Sequence, residues 1–199
     1  RGRGQAAATC ERWARARNAV EHRRPAASRS ALFRHPEALD YQQLVKLRRP
    51  DSALPTLFDG PLETRRARDG FELTDARYDR RNVMSEVHYC LLCHDVDKDS
   101  CSKGLRAKDG SIKPNPLGVP LEGCPLDEKI SEMHAIKAGG HGIGALAMVL
   151  VDNPMAPGTG HRICNDCMKS CVFQKQEPVN IPQAETGVLT DVVLELPWG

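Results

Sequence analysis

The sequence predicts a mainly α-helical domain behind a basic amino-terminal tail, and three observations carry that expectation. Between Cys124 and Pro154 the apolar residues recur at helical spacing, broken by Gly139-Gly140 and stopped by Pro154. No β-α-β unit with a glycine-rich turn is visible anywhere in the chain. Seven of the eight cysteines lie between residues 90 and 171, a clustering that points to short elements tied together by metal chemistry.

Residues 1–36 hold nine arginines against the two acids Glu11 and Glu21, a composition expected of a disordered basic tail. An organelle transit peptide has the same Arg-rich, acid-poor character. From Pro36 to Pro50, Leu39, Leu44, Val45 and Leu47 are spaced for a short amphipathic helix that Pro50 would stop. Residues 51–82, with Asp59-Gly60, Asp69-Gly70 and the charged run Glu63–Asp69, read as irregular connection. The expected organisation is a tail at 1–36, an irregular or helical segment at 37–85, and a cysteine-bearing domain at 86–199.

Within that last domain, Pro125 suits a first helical position, and Leu126, Ile130 and Met133 extend the helical pattern to about residue 138. Cys124 would then be its N-cap, placing a negatively charged centre at a positive helix end. A second helix over Ile143–Asp152 is apolar nearly all round and is expected to be buried. The glycines of Gly139-Gly140-His141-Gly142-Ile143-Gly144 follow a helix instead of a strand, so they read as an inter-helix turn.

Composition narrows the function classes. With 28 basic and 26 acidic residues the formal charge is +2, too little to steer nucleic acid or hold an anionic membrane. The longest apolar run, Ala145–Val151, is far shorter than the roughly 20 residues of a bilayer-crossing helix. No apolar signal core opens the sequence, so a reducing, cytoplasmic location is expected, where clustered thiols serve metal or redox chemistry in preference to disulphides.

The cysteine pattern is Cys90-x2-Cys93-x7-Cys101, then Cys124-Pro125, then Cys164-x2-Cys167-x3-Cys171, with Cys10 remote in the tail. Soft thiolates suit iron-sulphur clusters and zinc. A single zinc on Cys90, Cys93, Cys164 and Cys167 leaves Cys101, Cys124 and Cys171 without a role. Seven cysteines plus one further donor nearly match two cubane clusters. Cys90-Leu91-Leu92-Cys93-His94 also fits a c-type haem attachment site, although that leaves five thiols unused. Positions 164, 167 and 171 follow helical spacing, so one helix could present all three thiols on one side and serve two centres.

Gly123-Cys124-Pro125-Leu126, Asn153-Pro154, Thr159-Gly160-His161-Arg162-Ile163-Cys164 and Glu177-Pro178-Val179-Asn180-Ile181 occur in the order of a known family's motifs. Over residues 86–190 the chain resembles the α-helical ferredoxin domain at the amino terminus of the glutamate synthase small subunit and of dihydropyrimidine dehydrogenase. The resemblance implies two [4Fe-4S] clusters that relay electrons between flavins. One would be held by Cys90, Cys93, Cys101 and Cys171, the other by Cys124, Cys164, Cys167 and Glu185. It also implies FAD and NADH or NADPH on a flavin-binding domain of the same or an associated chain, a possible further redox subunit, and no catalytic residues in this segment. The family keeps its first four cysteines close together, whereas here Ser102–Gly123 separates Cys101 from Cys124. The chain also ends at Pro197-Trp198-Gly199, where the family's flavin-binding domain begins, so a segment of a larger oxidoreductase is expected.

Overall fold

A computed structural model of the chain describes residues 38–45, 47–62, 70, 76–159 and 164–195. The expected basic tail, Cys10, the charged run at 63–69, residues 160–163 of the motif before Cys164, and Pro197-Trp198-Gly199 lie outside the described residues.

The described fold is mainly helical. Helix α1 (Arg80–Tyr89) leads to a 3-10 turn at Cys93–Val96 and the one-turn helix α2 (Ser100–Lys103). Then come α3 (Ile130–Ala138), α4 (Gly142–Asp152), the short α5 (Ala156–Thr159) and α6 (Asp166–Ser170), and the long α7 (Ile181–Glu195). Extended pairing among the described residues amounts to three isolated antiparallel bridges. No helix among them is long and apolar enough to cross a membrane.

Helix α1 begins where the Asp79 carboxylate accepts the Asn82 backbone N–H at 2.8 Å, which satisfies a donor that the first turn leaves free. Five consecutive residues, Val83–Val87, are buried, so this helix is surrounded instead of lying on a surface. It packs against α3 and α7. Its buried Glu86 reaches the start of α7, where Oε2 accepts the Asn180 backbone N–H at 2.8 Å. Buried Gln183 ties the preceding segment to the same helix: its Oε1 accepts the Tyr78 N–H and its Nε2 donates to the Ala76 carbonyl. Lys137 of α3 and Asp191 of α7 form an ion pair with both side chains largely removed from water.

Two apolar clusters result. One joins Cys101, Cys167 and Cys171 to Ile130, Val179 and Ile181; the other joins Met133 of α3, Ala145 and Val149 of α4 and Val188 of α7. The inter-helix turn falls at 139–141, with Gly140 in the left-handed region at φ +87°.

Three helical expectations need correction. Residues 38–45 form turns, because the Asp40 carboxylate captures the Gln42 N–H at 2.8 Å and so competes with helical bonding. This segment is instead docked through its backbone, Leu39 N–H donating to the Lys175 carbonyl, and through Tyr41, whose hydroxyl donates to Gln174. The helix expected from residue 125 starts only at Ile130, since Asp127 adopts φ +51° and Lys129 is non-helical. Cys124 is therefore not its N-cap. Helix α4 matches its expected bounds but is buried on one face only: Val151 is 71% exposed and Ile143 38%, because its described helical neighbours, α3 and α7, cover the other face.

Helix α7 approaches α1 closely at Gly187, where an added Cβ would stand 2.4 Å from a methyl of Val83. Gly187→Ala should lower stability by up to about 2 kcal/mol, the overpacking cost of about 1–3 kcal/mol less the roughly 1 kcal/mol gained by removing a helical glycine. Denaturant midpoints measure this, and Val83→Ala in the same chain should recover part of the loss by restoring room.

Candidate metal centre

The seven described thiols are all free, and they divide between two cavities. Cys90, Cys93, Cys101 and Cys171 line the first. Cys124, Cys164 and Cys167 line the second together with Glu185. The zinc set Cys90, Cys93, Cys164 and Cys167 is thus split two and two. Among the described residues no three His, Cys, Asp or Glu side chains are placed to hold one metal ion; the thiols ring spaces.

The first cavity is small, about 20 Å³, and its walls come from four places in the chain. Helix α1 ends at Tyr89, and the Cys90 N–H still donates to the Glu86 carbonyl at 3.1 Å. Leu92 then takes a left-handed conformation, φ 51° and ψ 54°, which turns the chain so that both Cys90 and Cys93 face the cavity. A leucine there costs on the order of 1–3 kcal/mol, a strain the surrounding packing must hold. Cys101 arrives on α2, its Sγ–H donating to Asp99 Oδ1 at 3.3 Å. Cys171 caps the far end of α6. Phe173 lines one side and is backed by Tyr89, stacked on it with centroids 4.7 Å apart.

His94 stands beside this cavity with both ring nitrogens engaged, Nδ1 at 2.6 Å from Ser131 Oγ and Nε2 at 3.2 Å from Asp95. It is a loop residue fastened to α3.

The second cavity is larger, about 520 Å³, and lies between the Cys124 turn, α4, the Cys164–Cys167 segment and α7. Helix α6 is shorter than the expected helix: Cys164 precedes it and Cys171 follows it. The three thiols consequently do not share one side. Cys167 and exposed Cys164 turn to the second cavity, and Cys171 turns to the first.

The 22-residue separation of Cys101 from Cys124 vanishes in space. The Cys124 N–H donates to the carbonyls of Cys101 at 2.8 Å and Ser102 at 3.0 Å. Residues 104–123 leave and return as an outgrowth held by backbone bonds among Leu105, Lys113 and Leu121, with tight turns at Gly110 and Gly118. At its neck Gly104 and Gly123 both have positive φ, and a Cβ on Gly123 would lie 2.5 Å from the Gly104 nitrogen. Gly123 also donates its N–H to Ser170 Oγ at 2.9 Å, which ties the neck to α6 between Cys167 and Cys171.

Burial dominates the electrostatics. It pushes the Cys90 thiol up to about 11, and it raises Cys93, Cys101, Cys124, Cys167 and Cys171 as well. A thiolate in these places is stable only beside a cation, which is the electrostatic condition that metal binding meets. Glu185 is held well above the usual carboxylate range, first by burial and then by the neighbouring Glu128 carboxyl, with which it shares a hydrogen bond. Asp99 is raised by burial, an effect partly offset by the Cys101 hydrogen bond. The first cavity therefore gathers four sulphur donors, and the second gathers three with the Glu185 carboxyl beside them.

The sequence reading missed Glu128, which is hydrogen-bonded to Glu185 in the wall of the second cavity, and His134, which lines the first. Glu128 had no legible signal. His134 had one: it lies four residues after Ile130 and one after Met133, on the pattern that marks the buried side of α3.

In comparisons with known proteins, no family model and no solved structure matches the chain. It is similar to two proteins of Rickettsia prowazekii (strain Madrid E). It is 58% identical over 45 residues to the uncharacterized protein RP006, covering 23% of this chain and 6% of that protein. It is 39% identical over 75 residues to the uncharacterized protein RP005, covering 34% of this chain and 25% of that protein. The chain thus spans a quarter or less of either relative.

Gly123→Ala should cost at least about 2 kcal/mol, because it adds backbone strain of roughly 1–3 kcal/mol to a contact that cannot relax. Thermal unfolding measures the loss. Gly118→Ala, at an open turn where nothing lies within 4 Å of the added methyl, should be the milder change.

Proposed function

We propose that residues 86–199 form an α-helical ferredoxin-type electron-transfer module with two [4Fe-4S] clusters, working beside a flavin-binding domain of the same or an associated chain. The observation that carries this reading is the division of the thiols into two cavities, interleaved along the chain: Cys90, Cys93, Cys101 and Cys171 around one, Cys124, Cys164 and Cys167 with Glu185 around the other. A single structural zinc gives no reason for two sets.

When bound, such clusters accept and release single electrons. The chain's own residues do the rest. Cys167 and Cys171 sit at the second residue and just past the end of the five-residue α6, so one rigid turn would fix the separation of the two centres. Phe173, Val179 and Ile181 give the first set an apolar wall, and Glu185, buried against Glu128, would supply the harder donor of the second. FAD and NADH or NADPH belong, in this reading, to the flavin-binding partner, and the reducing cytoplasm keeps the thiols free.

Anaerobically prepared protein should contain about eight iron and about eight acid-labile sulphide per chain, the sum of two cubanes. Zinc without sulphide would overturn the reading in favour of a structural metal module, and covalently bound haem in favour of a cytochrome.

Glu185→Ala should remove one cluster, lowering iron to about half and erasing one of two signals in electron paramagnetic resonance after reduction. Glu185→Cys should keep both clusters and shift the potential of one. Two unchanged signals in the Ala variant would leave Glu185 outside the ligand set.

A further inference from the structure

His134 is fully buried, and neither ring nitrogen has a hydrogen-bond partner. A neutral imidazole carries one N–H donor and one bare nitrogen, and leaving a donor unsatisfied away from water is costly enough that native proteins rarely do so. The polar groups nearest to it along α3 do not resolve this. Ser131, one turn earlier, is committed to His94 and Asp99, and Lys137, three residues on, is paired with Asp191.

What His134 does face is the first cavity, which it lines together with Cys90, Cys93, Cys101 and Cys171. In either protonation state the buried ring carries at least one N–H that has no partner within the chain. Apolar Ile130, Val179, Ile181 and Phe173 form much of the remaining wall, Ser100 and the already engaged Ser131 bring hydroxyls, and the four cysteine sulphurs are the most numerous acceptors in that space.

We infer that His134 donates a ring N–H hydrogen bond to sulphur of the centre held by Cys90, Cys93, Cys101 and Cys171, and so raises the potential of that centre's one-electron couple. The inference rests on the two-cluster reading above. A hydrogen bond to sulphur stabilises the more negative, reduced form, and such bonds are among the means by which a protein tunes a cluster. His134 is a tuning residue, not a ligand. The second cavity has no described histidine in its wall and offers the Glu128 and Glu185 carboxyls instead, so the two centres would differ in potential by construction, which gives electron flow a direction.

The test is a redox titration with dithionite, followed by electron paramagnetic resonance, on the whole chain after iron and sulphide have been counted. Absence of iron and sulphide would sink the cluster reading itself. With both clusters present, His134→Leu should move the midpoint of one signal to more negative potential and leave the other in place, while His134→Gln, which keeps an N–H, should restore most of the shift. Two unmoved midpoints would overturn the inference. Should His134→Leu fail to fold, the wild-type protein with isotopically labelled histidine decides: weak nitrogen hyperfine coupling to one reduced cluster is expected. No coupling overturns the proposal, and so does the strong coupling of a directly bonded nitrogen.

Discussion

Sulphur stands where this small core would otherwise have large apolar side chains. Cys101, Cys167 and Cys171 are buried with Ile130, Val179 and Ile181, and half-buried Cys90 and Cys124 pack against the same group. Burial holds these thiols neutral, and they gain charge only where a cation shares the space. The helices around them, α2 and α6 above all, are too short to be stable through their own hydrogen bonds. Their positions are set by what they surround, so the packing of the domain is also what gathers the thiols.

Helix α6 is the joint between the two cavities. Ser170, fully buried near its end, receives the Gly123 N–H, and Gly123 in turn lies against Gly104 and Ser102. Cys101, Cys124, Cys167 and Cys171 are thereby linked through a few backbone contacts, although they come from three separate stretches of chain. Leu92, Asp97 and Asp127 are the non-glycine positions where the described backbone takes a left-handed turn, Leu92 between the two cysteines of the first cavity.

Much of the helical layout was legible in the sequence. Gly139-Gly140 and Pro154 bracket α4 as punctuation should, and the first half of the glycine-rich stretch, 139–141, is the inter-helix turn that its position after a helix implied, whereas Gly142 to Gly144 open α4. The start of α3 was not legible, because the pattern Leu126, Ile130, Met133 says nothing of the two carbonyls that hold Cys124 or of the left-handed Asp127. The segment at 38–45 failed for a similar reason: helical spacing of Leu39, Leu44 and Val45 was outweighed by the Asp40 turn and by docking onto Lys175 and Gln174. Spacing alone also put Cys164, Cys167 and Cys171 on one side of one helix, whereas grouping by cavity depends on where the chain bends after α6. The partnerships of Glu128 and His134 are wholly tertiary.

The outgrowth at 104–123 separates distance along the chain from distance in space. Its two ends meet at the Cys101–Cys124 contact, its turns are exposed, and of its interior Leu121 alone is deeply buried. The entropy of closing such a loop grows slowly with length, by about 0.6 kcal/mol for each doubling. Evolution can therefore lengthen, shorten or redecorate this arm while both cysteines at its neck stay in place, and the arm is free to diversify at a rate that the walls of the cavities cannot follow.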